Sequence, residues 1–592
     1  MTAGADTGAA VLGVERSFTG RRWRSRLADD RPAFALADRF GLPEIVGRVL
    51  AARGVAIDAA EGFLRPTLRE QLPDPSGFRD MDRAAERVAA AVMAGEGIAI
   101  FGDYDVDGAT TSALLSRFLC AAGARPRVYI PDRLAEGYGP NLPALLKLRE
   151  GGAGLVITVD CGTTAFEPLA GARAAGLDVI VVDHHVAEPA LPEAYAIVNP
   201  NRLDEQTPHR GLAAVGVAFL LVVAVNRTLR SAGWWRDRPA PDLMAWLDLV
   251  ALGTVCDVMP LVGLNRALVA QGLKTMARRG NPGLCALADV ARLDERPQAF
   301  HCGFVLGPRV NAGGRVGRAD LGARLLATDD PAEAARIAGE LDRHNEDRRR
   351  IETEVLAAAL AAADGVADPV LVVADYGWHP GVIGIVASRL KDRFDRPALV
   401  LGIEEGIAKG SGRSVPGFDL GAAVIAARQR GILAQGGGHA MAAGFALPAA
   451  RLAEFREFMA ERFLASGAAA ARVPEIGIDG ALSVPALAID LVERLAALGP
   501  FGAGMPEPRF ALGHVRVAYA EPAGANHVRC ALSAASGERV KAIAFRAMDG
   551  PLGPALLGTR GQTIHVAGRL AIDSWQGAES VQVRIDDASA IG

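Results

Sequence analysis

The sequence predicts an α/β protein with two α/β domains, a long helix that joins them, and a small β-barrel at the C-terminal end. Residues 95–330 alternate short apolar runs with Ala- and Leu-rich helical segments, which is typical of a parallel sheet covered by helices. A second pattern of this kind begins at Val370. Beyond residue 475, apolar and polar residues alternate between turn residues, which indicates a small barrel.

A chain of 592 residues is too long for a single hydrophobic core, so several domains are expected. The N-terminal residues are polar and rich in Arg, Ala and Gly, and we expect them to be poorly ordered. The predicted segments are a disordered N-terminus (1–36), a helical segment (37–94), the first α/β domain (95–330), a connecting helix (331–368), the second α/β domain (369–466) and the barrel (475–592).

The composition is that of a globular protein, with 50% hydrophobic and 22% charged residues and a formal net charge of −4. A polyanionic partner would therefore need a local basic groove. The six cysteines lack C-x-x-C spacing, and we expect Cys161 and Cys256 to be packing residues. The N-terminus has no secretory pattern, and the apolar stretch Leu212–Val225 is shorter than the ~20 residues of a membrane span. We expect a soluble, cytoplasmic protein in which this stretch forms a buried helix.

Acidic and histidine residues directly follow three predicted strands. These strands are the apolar runs that end at Phe101, Val159 and Val182. Because the carboxyl ends of parallel strands form the edge where open sheets bind ligands, we expect the polar side chains to meet in one crevice. With one acid from a later segment, the set is Asp103, Asp105, Asp107, Asp160, Asp183, His184, His185 and Asp257.

This set of residues predicts a site for one or two divalent cations. Any single Asp after a strand is more commonly a helix cap or a turn residue. Together, however, carboxylates and imidazoles suit Mn²⁺ or Mg²⁺, and the absence of thiolate spacing disfavours zinc. Two ions about 3.5–4 Å apart could bridge an attacking water and a phosphoryl oxygen. The implied chemistry is hydrolysis of a phosphoester or phosphoanhydride.

The motifs around these residues resemble the DHH phosphoesterase superfamily. They are Gly-Asp-Tyr-Asp-Val-Asp-Gly at 102–108, Val-Asp-Cys-Gly at 159–162 and Asp-His-His at 183–185. Downstream motifs resemble the second domain of that superfamily, DHHA1, and lie at 377–389, 410–414 and 436–439. With Leu306–Arg315 and Gly499–Pro508, the resemblance narrows to the RecJ family of 5′→3′ exonucleases specific for single-stranded DNA.

The resemblance implies roles for the acidic and histidine residues. Asp160 would bridge two Mn²⁺ or Mg²⁺ ions and take part in catalysis. Asp103 and His185 are also assigned to catalysis; His185 would touch the scissile phosphate or support the ligands, and Asp103 would be a ligand or support one. Some relatives have a His where Phe101 stands, so this chain lacks one ligand. The implied metal ligands are Asp105, Asp107, Asp160, His184 and Asp257.

The resemblance also implies residues that contact the substrate. A 5′-terminal phosphate would bind Arg133, Arg315, Ser411 and Arg413, although Arg133 could equally be an ordinary surface residue. The Gly436–Gly438 segment is expected to be a turn whose backbone N–H groups line a phosphate track, or a flexible loop. Helix starts near Gly381 and Gly438 would add positive dipole ends. The full set is Arg133, Arg309, Asn311, Arg315, His379, Ser411, Arg413, Gly436, Gly437, Gly438, His439 and Trp575.

Two of these substrate-site predictions have open alternatives. His379 and His439 would contact the DNA backbone or make structural hydrogen bonds. The barrel resembles an OB-fold, a frequent binder of single strands through stacking aromatics. Trp575, in a polar turn, is the candidate platform there, whereas most barrel aromatics are expected in the core.

The expected function is a metal-dependent exonuclease that degrades single-stranded DNA from its 5′ end to 5′-mononucleotides. The two α/β domains would surround a central groove that excludes duplex by its width. The family implies a role in recombination and repair, a helicase and a single-strand-binding protein as partners, no membrane partner, and a monomer. One alternative is a DHH phosphodiesterase acting on oligoribonucleotides or cyclic dinucleotides, or a pyrophosphatase-like enzyme. The other is a non-catalytic scaffold that binds single strands.

Overall fold

The structure, a computed structural model, describes residues 9–132, 136–468, 474–575 and 577–591. The chain divides into two compact units. One unit holds residues 73–259 and 272–472, which include both α/β domains. The other unit holds residues 1–72, 260–271 and 473–592, and therefore combines the N-terminal segment with the barrel.

The N-terminal segment is folded, so the prediction of disorder is wrong for residues 9–36. Strand β1 (Arg22–Ser25) pairs in parallel with residues 475–478. Trp23, at the centre of β1, is fully buried, and its indole N–H donates a hydrogen bond to Asp587 (3.0 Å). Burial of one large aromatic side chain with a strand pairing outweighs the polar composition. Four helices follow: α1 (Arg31–Phe40), α2 (Glu44–Ala52), α3 (Ala60–Leu64) and α4 (Leu68–Gln71).

The first α/β domain contains a parallel sheet that, in the described residues, has five strands in the order β3-β2-β4-β5-β6. Strands β2 and β4 are buried along their whole length, as their continuous apolar sequences predict. The register aligns Gly102 with Val159, and Val159 with Val182. The residues after these three positions therefore lie at one edge of the sheet. The strands are β2 (Ile98–Gly102), β3 (Arg127–Tyr129), β4 (Leu155–Val159), β5 (Asp178–Val182) and β6 (Ala196–Val198).

Helices cover this sheet and extend beyond it. Helix α9 contains the predicted buried stretch and is long and apolar enough, by length and composition, to cross a membrane. Two thirds of its residues are nevertheless buried in the protein, where it packs against α5, α6 and α10. The helices are α5 (Met81–Ala94), α6 (Val106–Ala121), α7 (Leu142–Glu150), α8 (Phe166–Ala174), α9 (Ala214–Ser231), α10 (Leu247–Cys256), α11 (Gly263–Ala277), α12 (Pro282–Val290), α13 (Ala299–His301), α14 (Gly307–Val316) and α15 (Leu321–Ala327).

A single 33-residue helix, α16 (Pro331–Ala363), connects the two α/β domains, as the sequence predicts. Asp330 caps it by accepting a hydrogen bond from the backbone N–H of Ala332. In the second domain the described sheet runs β10-β11-β9-β8-β7, and its only parallel pair is β7–β8. Its elements are β7 (Leu371–Tyr376), α17 (Pro380–Phe394), β8 (Ala398–Glu404), β9 (Ile407–Arg413), α18 (Leu420–Gln429), β10 (Gln435–His439), β11 (Ala442–Pro448) and α19 (Leu452–Ala465).

The Gly436–Gly438 segment lies in strand β10 rather than in the predicted turn or loop, and no helix begins within this segment, although the first turn of α18 lies against it. The strand pairs antiparallel with β11 along its whole length. Close packing accounts for two glycines here: a Cβ on Gly436 of β10 would lie 2.7 Å from a methyl carbon of Val424, and a Cβ on Gly421, in the first turn of α18, would lie 2.6 Å from the carbonyl oxygen of Gly438. Gly438 has a φ of +151°, which favours glycine.

The barrel is closed by pairing of β14 with β17, so that β14, β15, β16, β18 and β17 form a ring. Its interior is filled by buried apolar side chains such as Val517, Val528, Leu532 and Val566. The predicted fold class is therefore confirmed. The elements are β12 (Glu475–Ile478), β13 (Gly480–Leu482), α20 (Ile489–Ala496), β14 (Phe510–Ala523), β15 (His527–Ser533), β16 (Arg539–Ala544), α21 (Leu552–Gly558), β17 (Thr563–Trp575) and β18 (Ala578–Ala590).

Candidate active site

The loop after β2 presents three aspartates at the sheet edge. Asp103 directly follows the strand, and Asp105 caps α6 by accepting a hydrogen bond from the N–H of Gly108 (3.0 Å). Asp107 lies in the first turn of α6 and accepts hydrogen bonds from the backbone N–H groups of Ala214 (2.6 Å) and Val215 (3.0 Å). Gly108 is required because a Cβ there would overlap the carbonyl group of Asp103.

Asp160 follows β4 in an unusual backbone conformation. Its φ is +60°, which is uncommon for a residue other than glycine. The conformation is held on both sides of the residue: its N–H donates to the carbonyl of Val182 (3.0 Å), and its own carbonyl accepts a hydrogen bond from the hydroxyl of Tyr138 (3.0 Å). A strained residue held by its surroundings is common at functional sites.

The imidazole of His184 lies at the centre of the carboxylates. Its Nε2 is 3.4 Å from an oxygen of Asp160, 3.4 Å from an oxygen of Asp257 and 4.0 Å from an oxygen of Asp107. Among the described residues, three groups of three side chains could each hold a metal ion. Within each group, the candidate ligand atoms lie within 4.8 Å of one another. These groups are Asp160 with His184 and His185, Asp107 with His184 and Asp257, and Asp103 with Asp105 and Asp160.

The electrostatics of this cluster fit a divalent cation. Burial, reinforced by the neighbouring carboxylates, raises the pKa of Asp107 to about 7 and that of Asp257 to about 8. The same two causes raise the pKa of Asp160 well above its usual value. One oxygen of Asp257 is buried without a hydrogen-bond partner. Bound cations would allow these carboxylates to ionise together.

The two histidines differ in charge. Burial lowers the pKa of His184 to about 4, so its imidazole is neutral, as a metal ligand must be. Burial also lowers the pKa of His185, but the hydrogen bond and charge of Asp183 outweigh it and bring this pKa to about 9. His185 is therefore a cation at neutral pH, which suits contact with a phosphate rather than with a metal.

Asp183, which the sequence analysis placed in the polar cluster without a role of its own, is a positioning residue. Its carboxylate accepts hydrogen bonds from the N–H groups of Thr163, His184 and His185 and from Nδ1 of His185 (2.7 Å). Burial alone would raise the pKa of Asp183, but the hydrogen bond and charge of His185 hold it well below its usual range. The Asp-His-His motif thus contains one orienting residue and two that face the site.

Two asparagines after β6 also escaped the sequence reasoning. Asn199 donates to the carbonyl of His185 (2.8 Å), and Asn201 donates to the carbonyl of His184 (2.5 Å). These bonds therefore anchor the backbone of both histidines. The signal that could have found them is their place after β6, the fifth strand to end at this edge.

Neighbouring apolar and thiol groups have packing roles. Phe101 is fully buried and stacks against Tyr129, with ring centroids 5.4 Å apart. Burial raises the pKa values of Cys161 and Cys256 well above the usual thiol value, so both stay protonated. Cys161 packs in the core beside the sheet, as expected, whereas Cys256 is half-buried and its thiol donates to the carbonyl of Cys302 (3.2 Å).

Arg315 and His379 line a cavity of about 160 Å³ where the two α/β domains meet. Arg315, near the end of α14, donates to the carbonyl of Gly381 (2.8 Å). His379 caps α17, and its Nδ1 accepts a hydrogen bond from the N–H of Gly381 (3.0 Å). This is a structural hydrogen bond, the alternative to a contact with the DNA backbone. Asp132 also lines the cavity, whereas Arg133, the next residue, lies outside the described residues.

Ser411, Arg413 and His439 lie on the second sheet. Arg413 donates to the hydroxyl of Ser411 (3.2 Å). Both approach Gly384 of α17, where a Cβ would lie 2.9 Å from the Ser411 hydroxyl oxygen. In the strand register, His439 of β10 is paired with Ala442 of β11, and Ala442 is paired with Arg413 of β9. His439 and Arg413 therefore lie at matching positions on strands that β11 separates. His439 is exposed.

The structure gives Arg309 a different role from the predicted substrate contact. Its guanidinium donates to Asp342 (2.8 Å) and to the carbonyl of Val305 (2.7 Å), and the residue is only 9% exposed. Arg309 therefore holds α14 against α16 and is not positioned to contact a DNA strand. Asn311 is half-buried on α14, and the side chain of Trp575 lies outside what the structure describes.

Comparison with known proteins assigns a family to three parts of the chain. Residues 97–254 match the N-terminal domain of the DHH family, residues 367–465 the DHHA1 domain and residues 478–587 the RecJ OB domain. The single-stranded-DNA-specific exonuclease RecJ of Escherichia coli (strain K12) is 36% identical over 92% of this chain and 96% of its own length. The Bacillus subtilis (strain 168) protein of that name is 34% identical over 96% of this chain and 71% of its own length.

A solved structure agrees with these matches. RecJ from Thermus thermophilus in complex with Mn²⁺ superposes with a TM-score of 0.79 at 31% identity, covering 96% of this chain and 79% of that one. The same protein has also been solved with Mg²⁺, with a TM-score of 0.74. With these matches over nearly its whole length, and a carboxylate–histidine cluster at its sheet edge, the chain belongs to the RecJ family of the DHH phosphoesterases.

Proposed function

We propose that this protein is a divalent-cation-dependent exonuclease that degrades single-stranded DNA from its 5′ end and releases 5′-mononucleotides. The observation that carries the proposal is the cluster of three carboxylates around His184, with raised carboxylate pKa values and a neutral imidazole. The names of the relatives, single-stranded-DNA-specific exonucleases, supply the substrate class.

The residues that would hold the cations are Asp105, Asp107, Asp160, His184 and Asp257. Carboxylate oxygens with one imidazole suit Mn²⁺ or Mg²⁺. Asp160 and His184 each belong to two of the three candidate groups, which supports two ions with Asp160 as the bridge between them. When bound, such ions lower the pKa of a coordinated water and neutralise charge that develops on a phosphate.

The other site residues orient the substrate. His185, charged and fixed by Asp183, would donate a hydrogen bond to a non-bridging oxygen of the scissile phosphate. Asp103 would act as a further ligand or support Asp105 and Asp160, with which it is grouped.

The polarity of degradation would come from a pocket for the 5′-terminal phosphate. Arg315, Ser411 and Arg413, with Arg133, would form this pocket, and His439 would contact the backbone nearby. The mutual approach of Ser411 and Arg413 beside α17 supports the proposal, because a hydroxyl and a guanidinium together suit a phosphate monoester. Binding of the end rather than of an internal phosphate makes the enzyme an exonuclease.

The test compares matched single strands of DNA labelled at the 5′ or the 3′ end, in Mn²⁺, in Mg²⁺ and in EDTA. We expect labelled mononucleotide to appear at once from the 5′-labelled strand, a ladder of shortened products from the 3′-labelled strand, and no product in EDTA. Immediate mononucleotide release from the 3′ label would contradict the polarity. Binding without any product would favour the scaffold alternative.

The dinucleotide phosphodiesterase alternative has less support, because the chain carries an OB domain in addition to the two α/β domains. Hydrolysis of dinucleotides alone, with long strands untouched, would favour it. The role in recombination and repair, the helicase and single-strand-binding partners, the monomeric state and the cytoplasmic location stay predictions from the resemblance.

A further inference from the structure

A cavity of about 360 Å³ lies beside helix α10, at the end opposite the candidate ligand Asp257. Its volume falls in the range of roughly 300–1,000 Å³ that is typical of small-molecule sites. Most of its wall is apolar and comes from the end of α11, from α12 and from the chain between α12 and α14. The larger apolar residues of the lining are Met276, Leu284, Leu293, Pro297 and Leu306.

A buried acid, Asp248, lines this cavity and forms no ion pair with any residue that the structure describes. It lies in the first turn of α10 and is only 1% exposed. One carboxylate oxygen accepts a hydrogen bond from the N–H of Leu249 (2.8 Å), and in the described residues the other oxygen accepts none. Arg117, the cation whose charge reaches Asp248, is bound to Asp329 and to two backbone carbonyls. Burial therefore raises the pKa of Asp248 to about 6, although the hydrogen bond from Leu249 and the charge of Arg117 oppose this.

The other buried acids outside the active-site cluster are better satisfied by the protein. In the described residues they are Glu205, Asp479 and Asp587, and the carboxylate of each accepts three hydrogen bonds. The start of a helix favours an acid such as Asp248 but does not satisfy its second oxygen. A water in the cavity would donate a hydrogen bond to that oxygen without neutralising its charge. The contrast indicates that a charged group from outside the chain completes this site.

The lining selects an organic cation. A metal ion such as Mg²⁺ or Ca²⁺ takes about six or more oxygen ligands, which a single buried carboxylate among apolar groups does not supply. An ammonium group needs only one carboxylate, and its hydrocarbon chain would pack along the apolar wall. The exposed part of the lining carries Asp294, Glu295, Arg279 and Arg296, but Arg279 is neutralised by Asp289. This leaves an excess of negative charge there, which suits a second ammonium group.

We propose that this cavity binds an aliphatic diamine. One ammonium group would bind Asp248, the methylene chain would lie against Leu284 and Leu306, and the second ammonium group would lie near Asp294. The site is separate from the candidate metal cluster, because Asp248 and Asp257 are nine residues apart at the two ends of α10, or roughly 14 Å at ~1.5 Å per residue. Binding of the diamine therefore does not depend on the proposed nuclease activity.

Calorimetric titration of the full-length protein with three five-carbon compounds tests the proposal: 1,5-diaminopentane, 1-aminopentane and 1,5-pentanediol. We expect one diamine per chain to bind saturably, roughly threefold more tightly than the monoamine, because an exposed ion pair contributes little. The diol should bind at least about tenfold more weakly than the diamine, because it has no charge to pair with Asp248. Equal affinities of the diamine and the diol would overturn the proposal, and so would the absence of diamine binding.

Two variants locate the bound diamine. Asp248→Asn should weaken its binding at least about tenfold, since a charge-assisted hydrogen bond is lost. Ala288→Leu, whose longer side chain would occupy the cavity, should abolish binding without lowering the melting temperature, and it decides the question if Asp248→Asn does not fold. The matched control is Asp364→Asn, which removes an exposed acid at the end of α16. Unchanged diamine affinity in Asp248→Asn or in Ala288→Leu would overturn the site.

The active-site carboxylates would also attract a diamine, so Asp160→Ala is titrated in parallel. Diamine affinity that Asp160→Ala retains and Asp248→Asn loses supports the cavity. Affinity that Asp160→Ala loses and Asp248→Asn retains overturns it. A lower melting temperature of Asp248→Asn, with no diamine binding to the unmodified protein, would show instead that Asp248 only stabilises the start of α10.

Discussion

The two α/β domains contribute to the candidate site in different ways. In the first domain, all described sheet pairings are parallel, and the side chains of interest follow the ends of aligned strands. In the second domain, the pairings of β8 to β11 are antiparallel, and the side chains lie on the strands themselves or at the cap of α17. The first arrangement concentrates charge in a buried cluster, whereas the second spreads half-buried and exposed polar groups along the strands.

If, as proposed, the first domain holds the catalytic cations and the second binds the substrate end, the two roles depend on different physical properties. The first domain relies on burial, which shifts the pKa values of its acids and histidines. The second relies on close backbone approach, which glycines permit at positions 384, 421 and 438. Substitutions in the first domain should therefore alter turnover, and those in the second should alter end preference or stability.

The largest effect is expected from Asp160→Ala. Loss of the proposed bridging carboxylate should lower kcat roughly 10³-fold or more in either Mn²⁺ or Mg²⁺, because several kcal/mol of charge stabilisation are lost. Release of 5′-labelled mononucleotide measures it. Asp294→Ala, at an exposed aspartate of the same domain, is the control. Turnover of Asp160→Ala close to that of the unmodified enzyme would refute the ligand assignment.

A smaller effect, specific to pH, is expected from Asp183→Asn. His185 has a pKa of about 9 because of Asp183, so its cationic form is present below pH 9 and is lost as the pH rises through that value. Without the carboxylate, the pKa should fall toward the ordinary ~6.5 for histidine. The alkaline decline of kcat/KM should then begin at lower pH, with a roughly tenfold loss at pH 8.

The pH profile of kcat/KM and the melting temperature of both proteins are needed for this prediction. A parallel drop at every pH, with the same alkaline limb, would show that Asp183 supports the fold alone.

An effect on end preference is expected from Arg413→Ala in the second domain. Removing one guanidinium should reduce the preference for 5′-phosphate over 5′-hydroxyl ends about tenfold, since a charge-assisted hydrogen bond contributes roughly 1.5–3 kcal/mol. Competition between the two strands measures this ratio. Arg389→Ala removes an exposed arginine of α17 that pairs with Glu352 and should leave the ratio unchanged. Equal ratios in all three proteins would remove Arg413 from the pocket.

The smallest effect is on stability. Gly438→Ala should lower the free energy of unfolding by about 1–3 kcal/mol, because a Cβ there would overlap Ala442 and lie 2.5 Å from Cα of Ala443. Gly437→Ala, one residue earlier on the same strand, meets no atom within 4 Å and serves as the control. Urea unfolding of both variants gives the comparison. Equal midpoints would mean that β10 does not require glycine at 438.

The sequence predicted the parts of the site that depend on local pattern. Apolar runs followed by Asp or His identify strand ends, and parallel pairing brings those ends together. The pattern could not predict Asn199 and Asn201, because their contacts depend on how the chain turns back after β6. It also missed the pairing of Arg22 with Glu475, which are some 450 positions apart.

The error at Gly436–Gly438 has a similar cause. Glycine is disfavoured in strands, so a run of three predicts a loop. Pairing with β11 and the approach of α18 override this preference, and neither can be read from the segment itself.

The central claim, that these buried carboxylates and His184 together hold divalent cations, is tested most directly by calorimetric titration of Mn²⁺ in buffers of different ionisation enthalpy. The account predicts saturable binding of two ions per chain with release of protons near pH 7, because the pKa values of Asp107 and Asp257 are about 7 and 8 before a cation binds. It also predicts that Asp160→Ala loses this binding. Mn²⁺ binding that is absent, or that persists unchanged in Asp160→Ala, would contradict the account.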